Sequence, residues 1–163
     1  MAREHQWSKD EKTGQYVHDV SVLTNAPVDK CFMFWSDFED FPTMMRHIRK
    51  VTKTGDNSWH WEADVGGRHA EWDAAMTNYR PNENIAWEST SGLKNSGFVR
   101  FTPEAGGCRV MVHLMYDPPY GLIGDLVAER KFNDQFYADL QKDLDDFKRL
   151  VESGAEKPYP YAA

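Results

Sequence analysis

The sequence predicts an α+β fold in which a seven-stranded antiparallel sheet wraps around one long C-terminal helix, with two short helices after the first strand. Three observations predict it. The stretch Tyr120–Ser153 carries Leu122, Leu126, Phe132, Phe136, Leu140, Leu144, Phe147 and Val151 at helical spacing, with no proline inside it. Between Tyr16 and Tyr116 the chain forms short runs of strand character, several of them alternating cleanly between apolar and polar residues. The turns between these runs are short, which forces neighbouring strands to run antiparallel.

Residues 1–15 are polar and read as a flexible arm. Tyr16–Thr24 is the first strand, with Tyr16, His18, Val20 and Val22 on one face. Pro27 then opens a short helix, Val28–Trp35, which is apolar almost all round and so predicted to be buried. The segment Ser36–Pro42 breaks it, and a second helical turn is expected over Thr43–His47. Ile48–Thr54 is a strand closed by Gly55-Asp56-Asn57. Ser58–Val65 alternates with Trp59, Trp61, Ala63 and Val65 on one face and His60, Glu62 and Asp64 on the other. Gly66-Gly67 predicts a two-residue hairpin turn, since glycine takes positive φ without steric cost. Replacing both is expected to lower stability and leave any pocket intact.

Arg68–Tyr79 returns with Ala70, Trp72, Ala74 and Met76 on one face. Asn84–Ser89, Gly97–Thr102 and Cys108–Tyr116 are the remaining strands, with a flexible connection expected over Ser91–Ser96. Pro118 and Pro119 precede the long helix and Gly154 follows it at the C′ position. Residues 16–154 then make one domain, and residues 155–163 a tail.

Composition narrows the function classes. With 40% hydrophobic and 13% aromatic residues in 163, a bulky single core is affordable. A net charge of −7 opposes phosphate backbones and anionic membranes, so no nucleic-acid partner is expected. No run is long and apolar enough for stable membrane insertion, and the polar N-terminus lacks the apolar segment of a signal peptide. Two cysteines without a CxxC pattern suit a reducing, cytoplasmic location, and Cys31 reads as a packing residue. No GxSxG, HExxH or phosphate-loop motif occurs, so no metal or other cofactor is expected and no catalytic residue is assigned. His60, His69, Glu62, Glu71 and Asp73 read as a solvated cross-strand patch on the outer face. His113 is expected to face solvent, and His18 to face inward as a hydrogen-bonded structural histidine.

Several motifs together resemble one known family. They are Asp37-Phe38-Glu39-Asp40-Phe41-Pro42, Trp59-His60-Trp61, Glu71-Trp72-Asp73-Ala74, Ile85-Ala86-Trp87-Glu88-Ser89, Gly97-Phe98-Val99-Arg100-Phe101, Tyr116-Asp117-Pro118-Pro119 and the ending Asp143–Glu152. With the order of elements they resemble the polyketide cyclase/dehydrase branch, which includes coenzyme Q-binding proteins, of the START and Bet v 1-like (SRPBCC) superfamily. The resemblance spans roughly residues 16–154 and implies the helix-grip fold. It also implies a hydrophobic small molecule, lipid, quinone or polyketide-like, held between sheet and helix. It carries over no catalytic residue.

On that reading Trp59, Trp61, Trp72, Trp87 and Tyr116 face the helix, and Phe136 and Leu140 form the opposite wall. Met33, Phe38 and Phe41 line the entrance, and Arg68 at the rim and Tyr116 deeper in serve as polar anchors. Two other functions stay open: a cyclase/dehydrase enzyme, and an interaction module without ligand. A homodimer is left open as well.

Overall fold

The computed structural model describes residues 7–118, 122 and 124–156. Its strands are β1 (Trp7–Lys9), β2 (Tyr16–Thr24), β3 (Ile48–Gly55), β4 (Ser58–Val65), β5 (Arg68–Arg80), β6 (Asn84–Gly92), β7 (Asn95–Glu104) and β8 (Gly107–Tyr116). The helices are α1 (Val28–Trp35), a 3-10 turn over Phe38–Asp40, α2 (Phe41–Met44) and α3 (Leu126–Glu152). All eight strands form one antiparallel sheet in the order β1-β2-β8-β7-β6-β5-β4-β3.

The expected seven strands are thus corrected to eight. The added strand, β1, lies in the stretch read as an arm and pairs Trp7 with His18 and Lys9 with Tyr16. Three residues are too few to show alternation, so it left no periodic signal. Its side chains tie it to α3: the Trp7 indole N–H donates to Asp134 at 2.8 Å, and Lys9 lies 3.5 Å from the buried Glu129 carboxylate.

Other boundaries shift for local reasons. The second short helix starts at Phe41 rather than Thr43, because Pro42 sits in its first turn, where its missing N–H costs nothing. The expected flexible connection over Ser91–Ser96 is a tight turn between β6 and β7. Gly92 has φ +78°, and a Cβ there would lie 2.5 Å from the Glu71 carbonyl. Helix α3 begins at Leu126, where the Asp125 side chain caps it by accepting from the Ala128 N–H at 3.0 Å. The expected start at Tyr120 lies outside the described residues, as do residues 1–6 of the arm and 157–163 of the tail. Leu126 belongs to the apolar stripe by spacing but is 78% exposed, since the first turn of α3 projects beyond the sheet.

The core is one cluster between the concave sheet face and the helices. From β2, Tyr16, His18, Val20 and Val22 point inward; from β8, Val110, Val112, Leu114 and Tyr116 do so. Helix α3 buries Phe136, Leu140, Leu144, Phe147 and Val151. Helix α1 meets the C-terminal part of α3 through Phe34 and Trp35, whose rings stand edge-on to Phe147 at 5.7 and 5.6 Å. That contact holds the C-terminal half of α3 against α1. At the other end, sheet and helix are bridged by larger aromatic rings.

Candidate ligand-binding site

The site lies where α3 leaves the sheet. Trp61 on β4, Trp72 on β5 and Trp87 on β6 point inward by strand alternation and sit side by side. Trp61 stacks on Trp72 at 5.7 Å and on Trp87 at 5.8 Å. Tyr116 and Leu114 of β8, His47 and Ile48 beside α2, Leu93 and Asn95 at the β6–β7 turn, and Phe136 of α3 contribute to the lining, with Met45, Val65 and Met115. Together they line a cavity of about 40 Å³.

Phe136 also lines a groove of about 320 Å³ between α3 and the β4–β5 hairpin. The groove is lined by Gly66 of the β4–β5 hairpin and by Lys131, Phe132, Gln135 and Asp139. Phe132 stacks on Phe136 at 5.9 Å with planes 8° apart, so the two rings form a double panel. Gly66 seats the outer ring: a Cβ on Gly66 would fall 2.3 Å from Phe132 Cε2.

The hairpin has the expected positive φ at both glycines, +60° and +78°. The two are not equivalent, however, because nothing lies within 4 Å of a Cβ on Gly67. The expectation that both can be replaced without touching the pocket therefore holds for Gly67 alone. Gly67→Ala should cost about 1 kcal/mol from backbone strain. Gly66→Ala should cost more and also push Phe132 aside, giving stronger fluorescence of an apolar dye such as ANS. Equal melting temperatures and equal dye binding for the two variants would show that Phe132 does not rest on Gly66.

The expected site residues divide. Trp61, Trp72, Trp87, Tyr116 and Phe136 line the cavity. Trp59 is buried but lies beyond that lining, edge-on to Phe38 at 5.1 Å and under the Lys53 ammonium. Leu140 is buried one turn deeper, in the packed core. Phe38 and Phe41, expected at an entrance, are fully buried behind the tryptophans; Phe38 meets Trp61 at 5.3 Å and Phe41 meets Trp87 at 5.7 Å. Met33 is 40% exposed on the outer side of α1, because its neighbours Phe32 and Phe34 take the inward positions. Arg68 is exposed at the hairpin opposite Val65 and does not reach the cavity.

A buried polar network lies behind Tyr116, outside the cavity lining. His18 Nε2 lies 2.9 Å from Asn133 Oδ1 and 3.0 Å from the Tyr116 hydroxyl, and that hydroxyl donates to Asn133 Oδ1 at 3.0 Å. The Asn133 amide N–H donates to the Glu129 carbonyl at 2.9 Å, which turns its oxygen toward the other two groups. Burial pushes His18 down to about 4, with Asn133 and Asp19 opposing, so the imidazole is neutral near pH 7. Burial likewise raises the Tyr116 hydroxyl, and then Tyr16, leaving Tyr116 a neutral donor. Burial also lowers His47 to about 4, with the His18 charge acting in the same direction.

Asn133 and His47 were not among the expected site residues. A signal for Asn133 exists: it lies three residues before Phe136, on the apolar stripe, where a polar residue needs a buried partner. His47 has no such mark, since it sits in an irregular connection.

The outer face carries the polar patch. His60 lies 3.0 Å from Glu71 and 2.9 Å from Asp73, which raise its pKa in that order. Glu62, His69 and Glu71 bring ligand-type atoms within 4.8 Å of one another and are, among the described residues, the group with metal-binding geometry. Those side chains stand on solvated strands, and Glu71 is engaged by His60 at 3.0 Å and His69 at 3.2 Å. His113 lies beside Asp19 at 2.7 Å on the same side of the sheet.

A curved antiparallel sheet closed on one C-terminal helix over an aromatic cavity is the helix-grip fold, shared with START and Bet v 1-like proteins. The chain belongs to the family described as polyketide cyclase / dehydrase and lipid transport, whose model matches residues 24–138. A solved protein from Deinococcus radiodurans is similar with 30% identity and a TM-score of 0.69, over 85% of this chain and 98% of that one. An uncharacterized 17.2 kDa protein of Streptomyces lincolnensis is 28% identical over 143 residues, 85% of this chain and 91% of its own. The Zhui aromatase/cyclase of a Streptomyces species shares the fold at 17% identity and a TM-score of 0.61, over 88% of this chain and 99% of that one. No helix among the described residues is long and apolar enough to cross a membrane.

Proposed function

We propose that the chain binds a hydrophobic small molecule, of lipid, quinone or polyketide-like character, between its sheet and α3. The observation that carries this reading is the aromatic cavity of Trp61, Trp72, Trp87 and Tyr116, with Phe136 shared with an outer groove. At about 40 Å³ the cavity is far below the roughly 300–1,000 Å³ of small-molecule sites. The ligand therefore enters by displacing the Phe132–Phe136 panel, which joins the cavity to the groove. Apolar burial at about 25 cal/mol per Å² drives binding. The family description, which names both cyclase/dehydrase and lipid transport, supports the same ligand class.

A cyclase/dehydrase enzyme is the second reading, favoured by one observation. Tyr116 lines the cavity, and its hydroxyl is backed at 3.0 Å by the neutral His18 imidazole, a polar pair beside an apolar pocket.

Calorimetric titration with a panel of quinones, fatty acids and aromatic polyketides tests the binding reading. Saturable one-to-one binding is expected with at least one class, and a silent panel would leave the interaction-module reading. Phe132→Ala removes the outer half of the panel and should speed association roughly 3- to 10-fold, because less of the barrier to the open form remains. An unchanged association rate, seen by stopped flow, would place the entrance elsewhere.

A further inference from the structure

The outer face of the β4–β5 hairpin carries one pattern twice. His60-Trp61-Glu62-Ala63-Asp64 and His69-Ala70-Glu71-Trp72-Asp73 both read His-x-Glu-x-Asp. Alternation sends the tryptophans and alanines inward, so the His, Glu and Asp side chains of both copies share the outer face. The strands are antiparallel, and their register sets Glu62 opposite Glu71, His60 opposite Asp73 and Asp64 opposite His69. A local two-fold thus puts the two glutamates in the middle, with an imidazole on either side and an aspartate behind each imidazole.

The contacts follow that arrangement. Glu71 is flanked on both oxygens: His60 Nε2 lies 3.0 Å from Oε1, and His69 Nε2 lies 3.2 Å from Oε2. The far nitrogen of each ring faces an aspartate, His60 Nδ1 at 2.9 Å from Asp73 and His69 Nδ1 at 3.8 Å from Asp64. A ring that gives its Nδ1–H to a carboxylate presents a lone pair at Nε2, and here that lone pair meets those of Glu71. Only a proton or a cation between them makes the contact favourable. A carboxylate behind the ring is also the usual outer support of a metal-bound histidine. Glu62 and Glu71 are like charges directly opposite each other, an unfavourable pair by itself. Nearby cations leave it unbalanced. Among the described residues Arg49 pairs with Asp64, and no lysine or arginine makes an ion pair with Glu62 or Glu71, although Lys50 stands opposite Glu62 on β3.

We propose that this face binds a first-row transition-metal dication of the zinc type, with Glu62, His69 and Glu71 as ligands and His60 orienting the Glu71 carboxylate. One ligand atom from each of the three lies within 4.8 Å of the others. Tetrahedral zinc, with bonds of about 2.0–2.1 Å, holds its ligand atoms roughly 3.3 Å apart, so small side-chain rotations complete the set. The backbone needs no rearrangement, because all three stand on paired strands rather than on a loop. One imidazole nitrogen and two carboxylate oxygens, with water in the fourth place, suit such an ion, whereas Ca²⁺ and Mg²⁺ take all-oxygen shells. Motifs such as HExxH draw neighbouring ligands from one element, and a set shared between two strands escapes them. The site lies on the sheet face opposite the cavity and stands apart from the binding reading. A bound ion would clamp β4 to β5 beside Gly66, whose turn seats Phe132.

The test is calorimetric titration of the full chain, free of any affinity tag, with Zn²⁺, Ca²⁺ and Mg²⁺. Zn²⁺ should bind at one equivalent and at least about tenfold more tightly than either of the others. It should also raise the melting temperature, and EDTA should reverse the rise. His69→Asn and Glu71→Gln, both at exposed positions where the variants should fold, are each expected to weaken Zn²⁺ binding at least about tenfold. His113 supplies the control, since it faces Asp19 on the same side of the sheet as a single histidine–carboxylate pair. His113→Asn should leave the Zn²⁺ affinity unchanged. No saturable Zn²⁺ binding, or Ca²⁺ binding as tightly as Zn²⁺, overturns the proposal. So does an affinity that survives both His69→Asn and Glu71→Gln, or one that falls equally in His113→Asn, the mark of scattered surface binding. None of these results bears on the cavity, whose ligand titration reads other residues.

Discussion

Alanine in place of Trp61 should lower unfolding stability by about 3–5 kcal/mol, the range for deleting a large buried aromatic side chain. Trp61 is nearly inaccessible and lies at the centre of the aromatic cluster, meeting Phe38, Phe41, Trp72 and Trp87 at ring distances of 5.3, 5.5, 5.7 and 5.8 Å. Two of its partners come from the segment that follows α1 and two from neighbouring strands, so the backbone is held from several sides. It cannot collapse to fill the hole, and incomplete collapse places the cost toward the upper end. Urea titration with the m-value held in common is the measurement. A loss below about 1 kcal/mol would mean that the cluster refills and that the wall of the site is plastic.

Acidification should be the second large effect. His18 has a folded pKa of about 4 against 6.5 for the free side chain. Between those values the unfolded chain binds a proton that the native chain refuses, so stability falls with falling pH by about 1.4 kcal/mol per unit, about 3 kcal/mol in all. The His18 contribution is full above pH 6.5 and gone below pH 4. His47, also near 4, acts in the same direction, with a smaller share because part of its surface meets solvent. Asp143 opposes them. Burial raises it to about 6 from 3.8, so its stabilisation is full below 3.8 and lost as pH rises through 6. Urea unfolding at about pH 7 and about pH 4.5 should therefore show a net loss of about 2–3 kcal/mol. His18→Asn should flatten the profile, and a variant whose profile keeps the wild-type slope would show that His18 is protonated in the native state.

Much of the architecture was legible in the sequence because burial imposes a period. The strand Ser58–Val65 and the stripe of α3 from Phe136 to Val151 announce their inward faces through spacing alone. The cavity lining was half legible for the same reason. Trp61, Trp72 and Trp87 follow from alternation, whereas Met33 lies in a short helix that is apolar almost all round, and Phe38 and Phe41 in single helical turns, where no period tells entrance from core. The β1 strand escaped because it is short and polar, and its place is set by long-range partners, Asp134 and Glu129. The network of His18, Tyr116 and Asn133 unites β2, β8 and α3. No local pattern encodes such a meeting; it follows only from the closure of the sheet.

That closure has a kinetic consequence. From β3 to β8 every strand pairs with its sequence neighbour, so this meander can zip through hairpins that form in about 1–10 μs each. Strand β2 instead pairs with β8, setting Tyr16 opposite Tyr116. The loop so closed is far longer than any hairpin, and its entropy must be met before the contacts reward it. Docking of the first strands onto a preformed meander is then the slow event in folding, and it is the event that brings His18 to Tyr116. A nascent chain would hold its wall of tryptophans early and gain the polar network behind Tyr116 last.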